Sequence, residues 1–170
     1  MKSKNLGAVV ALGIACLTSC AAPSKTITVY MSTSTPKETN LSNQVFRGVN
    51  AYRHDRSKQE LIRDPGLAAL ARDHAQYLLR TRGTTSNDAN HQGFTRRAMK
   101  AQSTMGFRQV AENVVCCRGG NGATYVRLWS RSAPHEKTMR EDIYQYTGIG
   151  TVVDRDGMVF SVQLFANRDY

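Results

Sequence analysis

No stretch of this 170-residue chain is long and apolar enough to cross a membrane as a helix. The mostly apolar run from Leu6 to Leu17 falls well short of the roughly 20 residues that a bilayer requires. Acid is scarce as well: 13 Asp and Glu stand against 23 Lys and Arg, for a formal charge of +10. Internal repeats and low-complexity tracts are absent, which excludes a solenoid. The four cysteines do not form two pairs at ligand spacing, so a sulfur-held metal has no support. Nor does any Ser or Cys come with the base pattern of a covalent nucleophile.

What is present begins with an address. Lys2 and Lys4, the short apolar run and Leu17-Thr18-Ser19 make a secretory signal over residues 1–19. A cysteine directly after Leu-Thr-Ser resembles the bacterial lipobox. The resemblance implies cleavage before Cys20, which then becomes the acylated, palmitate-bearing first residue. Ordinary cleavage near Ala21-Ala22, leaving no lipid, is the alternative. Several acyl chains would hold the protein on a membrane, since each buried methylene contributes about 0.8 kcal/mol. Ala21 after the cysteine, where Asp would retain a protein at the inner membrane, implies the periplasmic face of the outer membrane.

Processing takes 19 residues from 170 and leaves 151, one ordinary domain plus a tether. It removes two lysines and no acid, so the charge falls from +10 to +8. Residues 20–40, rich in Ser and Thr with Pro23 and Pro36, read as a flexible tether. Within it Ile27-Thr28-Val29-Tyr30 alternates and suits an edge strand. The cations are dispersed, as at Arg47, Arg63, Arg80 and Arg96. An exported protein rarely meets nucleic acid, so none is expected as a partner. Anionic headgroups or cell-wall polymers fit better, and a basic surface serving solubility alone fits equally. After processing only the adjacent pair Cys116-Cys117 remains free; one buried and one exposed thiol is the preferred reading, with a vicinal or interchain disulfide as alternatives.

Residues 41–170 read as helices first and strands later. Leu41, Val45, Val49 and Tyr52 recur at helical spacing. Asp64-Pro65 opens a second helix whose apolar stripe is Leu67, Leu70, Ala71, His74, Ala75 and Leu78, with Gly83 past its end. On that stripe His74 reads as a neutral core histidine bonded to backbone, and His54, near the end of the first helix, has no assigned chemistry. A short helix is predicted from Phe94 to Ala101 and another from Ala123 to Arg131, the latter with Tyr125, Leu128 and Trp129 as its apolar face. Arg108 to Cys117 alternates as a strand, Val110, Glu112, Val114 and Cys116 on one side and Ala111, Asn113, Val115 and Cys117 on the other. Asp154-Arg155-Asp156-Gly157 joins two β-rich runs, Thr147 to Val153 and Met158 to Ala166, as a hairpin. The second run ends apolar on both faces at Leu164-Phe165, which suits a central strand.

Chemistry concentrates in a few places. His91 ends a polar loop, His135 stands at a loop-to-helix junction, and Glu112 lies between two valines, where a carboxylate is costly without a cation, donors or water. Asn90-His91, Ala111-Glu112-Asn113, Trp129-x-x-Ser132-x-x-His135 and Gly148-x-Gly150 together resemble the CAP superfamily, the SCP-like extracellular proteins, over roughly Leu41 to Ala166. The resemblance implies an α+β fold, a three-layer α–β–α sandwich around a mainly antiparallel sheet. It further implies that His91 and His135 bind a divalent metal such as zinc and that Glu112 is a catalytic general base; a carboxylate that orients arginine or backbone groups without reacting is the alternative for Glu112.

One departure stands out. Many members carry a second acid between the first histidine and the glutamate strand, whereas here no Asp or Glu occurs from His91 until Glu112. Thr95 or Arg96 stands where it should be, and an arginine there would weaken a metal and favour an anion. Three functions follow, in order of preference. The first is a lipid-tethered, non-enzymatic module that binds a lipid, a cell-wall ligand or a partner; the second is a structural surface lipoprotein with a vestigial site. The third is a metal-assisted hydrolase using Glu112, acting as a protease or on the cell wall.

Overall fold

Thr35 and Glu38 start the first helix five residues before its apolar spacing begins. Glu38 N–H donates to Thr35 Oγ1 (3.2 Å) and Thr35 N–H to Glu38 Oε2 (2.9 Å), a capping box with Pro36 in the first turn. Helix α1 therefore spans Pro36–His54, and residues 36–40, expected in the tether, are helical. The computed structural model describes residues 33–83 and 88–168. The signal segment, Cys20, the tether through residue 32 and the strand expected at Ile27–Tyr30 lie outside the described residues.

After α1 come β1 (Ile62–Arg63), α2 (Pro65–Arg80), α3 (Phe94–Met105), β2 (Val110–Arg118), α4 (Gly122–Ser130), α5 (Ala133–Arg140), β3 (Tyr146–Val153) and β4 (Met158–Ala166). Asp64 caps α2 as expected, its Oδ1 accepting from Leu67 N–H at 2.8 Å. The sheet order is β1-β3-β4-β2. Strands β3–β4 and β2–β4 pair antiparallel, but β1 joins β3 in parallel, so the sheet is mixed rather than mainly antiparallel. Two residues of β1 are too few to show any alternation in sequence. The last strand, β4, is central, and β2 lies at an edge.

The alternation of β2 divides the core. On one face Val114, Val162 and Leu164 pack under α2 and α3 with Leu67, Leu70, Ala75 and Leu78. On the other, Val115, Ile149 and Phe165 pack with Val45 and Val49 of α1, Tyr125 and Trp129 of α4 and Met139 of α5. Helices thus cover both faces of the sheet, the three-layer sandwich that the resemblance implies. In α4 the buried face is Tyr125, Val126 and Trp129, and Leu128 is exposed. The phase differs from expectation because α4 leans on α1 at Gly48, where a Cβ would come within 3.1 Å of Val126 Cγ2.

Two local arrangements fix the frame. A Cβ at Gly148 would lie 2.0 Å from Ala68 N, and one at Gly150 would lie 2.1 Å from Arg72 N. The Gly-x-Gly of β3 thus lets the backbone of α2 rest directly on the sheet. Arg53, fully buried, donates from Nε to Gln59 O (2.7 Å) and from Nη1 to Met139 O (2.8 Å) and Glu141 O (3.0 Å). It thereby ties the end of α1 to α5 and the loop that follows.

Candidate functional site

The site is built around β2, because adjacent residues on this edge strand reach to opposite faces. Glu112 turns toward α2 and α3, where its side chain is 1% exposed. Arg97, one turn into α3, meets it as a fork: Nε donates to Oε2 and Nη2 to Oε1, each at 2.8 Å. His91 Nδ1 adds a third bond to Oε1 at 2.8 Å. An ionised carboxylate only accepts, so Nδ1 carries the proton and the Nε2 of a neutral ring is left open. Burial pushes the Glu112 carboxyl up, but the bonds from His91 and Arg97 and the charge of Arg97 outweigh it and hold the group below its ordinary range.

Local structure explains how these groups converge. Gly93 takes a left-handed conformation (φ 74°), and Phe94 N–H closes the turn onto His91 O at 3.0 Å. Arg97 Nη1 also donates to Gln92 O at 2.8 Å, so one guanidinium fastens both the His91 loop and Glu112. On the far face of β2, Asn113 Nδ2 donates to His135 O at 3.0 Å and holds the start of α5 against the strand. The rings of His91 and His135 lie 6.2 Å apart between centroids, tilted by 47°. Burial first, and then the charge of His91, lower the pKa of His135.

The structure brings His91, His135 and Glu112 together as expected. Two further members are not singled out by the sequence. Arg97, not Arg96, enters the site; the doubled arginine is visible in the chain, but not which of the two faces inward. The other is His74. It is buried and bonded to backbone as expected, its Nε2 donating to Asn90 O at 2.8 Å, and it stacks on Tyr77 at 5.8 Å. Yet its Nε2 is also 3.9 Å from Glu112 Oε1, so it belongs to the same cluster. Burial lowers its pKa below the ordinary 6.5, which favours the neutral ring.

Other expectations resolve simply. Trp129 is a buried anchor that donates to Val114 O at 3.1 Å. Both Cys116 and Cys117 are free and half-buried, on opposite faces, rather than one buried and one exposed. Burial raises both thiol pKa values, that of Cys116 to about 11, so neither is a reactive thiolate.

The donors do not fit a zinc centre. Both oxygens of Glu112 already accept from a guanidinium or an imidazole, and Arg97 neutralises the carboxylate charge that would attract a cation. Among the described residues no group of three or more His, Cys, Asp or Glu side chains is disposed to hold a metal. Two imidazoles fall short of the three protein ligands of a catalytic zinc.

Removing one half of the buried pair should be costly and removing both much less so. Arg97→Met strands a buried carboxylate and should lower the unfolding free energy by about 3–5 kcal/mol, whereas Arg97→Met with Glu112→Gln should recover most of it. Urea denaturation of the four-member cycle measures this; additive losses would show that the two residues are not coupled. The depressed His74 and His135 pKa values set a second expectation. Their neutral forms contribute stability that is complete above about 6.5 and is lost as pH falls through the lowered values. The Tm should therefore drop on acidification from neutrality while Glu112 is still ionised, and His74→Gln should flatten that drop. An equally steep profile in the variant would exclude His74 as a source.

The same frame occurs in known proteins. Among the described residues no helix is long and apolar enough to cross a membrane. A search of the curated proteins finds no match. Solved structures with this fold include an outer surface protein from Borrelia burgdorferi, at 18% identity and a TM-score of 0.64, the match covering 81% of this chain and 97% of that one. An extracellular SCP-domain protein from Bacillus anthracis matches at 20% identity and a TM-score of 0.63, covering 81% of this chain but 45% of that longer protein. NaASP2, solved with Zn2+, matches at 11% identity and a TM-score of 0.53 over 74% of this chain and 78% of its own. At such identities the likeness is one of fold. The sequence itself is matched over residues 46–165 by the model of CAP, the cysteine-rich secretory protein family, and the chain belongs to that family.

Proposed function

We propose that this CAP-domain protein is a membrane-tethered module of the cell envelope that binds a ligand or partner without chemical turnover. The observation that carries this reading is the state of Glu112. A general base on water must reach water. Glu112 is buried, its side chain 1% exposed, and each of its oxygens already accepts from Arg97 or His91. No second carboxylate occurs between His91 and Glu112 in the sequence, and the Arg97 guanidinium neutralises Glu112, so a cation beside the two imidazoles would meet no net negative charge. The relative solved with Zn2+ supports the metal-assisted hydrolase only through its fold. Attachment to the membrane rests on Cys20 after Leu17-Thr18-Ser19, and the name of the Borrelia surface protein is in keeping with an envelope location.

Zinc titration of the purified full chain in detergent, beside a His91→Ala, His135→Ala double variant, tests the absence of turnover chemistry. The two proteins should give the same weak, unsaturable heats. A micromolar or tighter site lost in the double variant would restore the hydrolase reading. For the anchor, Cys20→Ser should abolish palmitate labelling and move the protein from the membrane fraction to the soluble one; a variant that stays labelled and membrane-bound would exclude lipid at that position.

A further inference from the structure

A cavity of about 380 Å³ opens between α2 and α3; His74 and Arg97 of the Glu112 cluster belong to its lining, whereas His91 and His135 do not. Its walls differ in character. Leu70 is an apolar residue of the lining, and Tyr77, stacked on His74, is an aromatic one. Arg96 and Lys100, one turn apart on α3, supply two cations, and Asp73 on α2 supplies a carboxylate. None of these three charged side chains makes a hydrogen bond or ion pair with another described residue, in contrast to Arg97 beside them. Helix α3 carries three cations and no acid, and like charges at this spacing destabilise a helix unless an anion lies between them. Tyr77 donates its hydroxyl to Gln92 Oε1 at 2.7 Å, which leaves the two amide donors of Gln92 open beside the cavity.

We infer that this cavity binds a hexose-sized sugar carrying a phosphate group. The phosphate meets Arg96 and Lys100 in charge-assisted bonds, the ring lies against the aromatic wall, and Asp73 and the Gln92 amide accept from and donate to its hydroxyls. Size and composition select against the alternatives. A bare phosphate fills only a small part of a cavity that is already in the range of ligand sites, from about 300 Å³ upward. A fatty chain would desolvate three charges with nothing in return. Phosphorylated sugar is available free in solution or as part of a membrane glycolipid, and both present the same group to the cavity.

The assignment rests on the reading of the chain as a binding module and names its ligand. Calorimetric titration of the full chain with N-acetylglucosamine 1-phosphate, with neutral N-acetylglucosamine and with inorganic phosphate tests it. Saturable binding is expected for the sugar phosphate alone, weakened at least about tenfold by Arg96→Glu with Lys100→Glu, two exposed positions whose exchange leaves the core intact. Micelles of a diphosphorylated disaccharide lipid identify the source. Tighter binding there than to the free sugar phosphate, with the same loss in the double variant, assigns the membrane form, and the reverse order assigns the soluble one. Equal affinity for inorganic phosphate, an unaffected double variant, or no binding of any sugar phosphate would overturn the assignment. Those results leave the zinc titration untouched, because that experiment reads His91 and His135.

Discussion

A carboxylate buried between two valines on an edge strand has to be neutralised, and the arrangement of this domain around β2 follows from how that is done. The fork from Arg97 fixes the phase of α3 against the strand, and the third bond fixes the His91 loop. Helix α2 lies directly on β3. The two glycines at Gly148 and Gly150 permit that approach, and it brings His74 beside the same carboxylate. Asn113, the next residue along, does for α5 on the other face what Glu112 does for α3 on the first. A short strand segment thus acts as the hub for four separate elements.

Much of this frame is legible in the order of the amino acids alone. Asp64-Pro65 and the stripe from Leu67 to Leu78 define α2 almost to the residue, because a capped amphipathic helix is specified locally. The Asp-Gly turn and its flanking alternation do the same for β3 and β4. The motif resemblance brings His91, His135 and Glu112 into one place, as observed. The start of α1 is readable as well, since Thr35-x-x-Glu38 is a capping signature, but apolar spacing points to Leu41 instead.

What the sequence does not disclose has a common cause. Whether Arg96 or Arg97 faces inward, and whether Val126 or Leu128 does, depends on how a helix is rotated against its neighbour. That rotation is a tertiary quantity, set at α3 by Glu112 and at α4 by the close contact with Gly48. The stripe on α2 places His74 in the core, yet its closeness to Glu112 depends on a sheet contact far away in sequence. The pairing of Glu112 with Arg97 also shows why scaffold and chemistry separate in such families. The carboxylate that stands beside the imidazoles has its charge neutralised by the neighbouring helix.

Arg53 offers a contrast with that cluster. Its guanidinium is buried, and its bonds end on the neutral carbonyl oxygens of Gln59, Met139, Glu141 and Tyr144. Carbonyls take up no proton at any physiological pH, so this fastening does not loosen in acid. Acid that charges the histidines beside β2 will reach a cluster mounted on a joint that is deaf to it. The chain thereby keeps a chemically responsive patch and an unresponsive chassis in one small domain, and the first can change state without loosening the second.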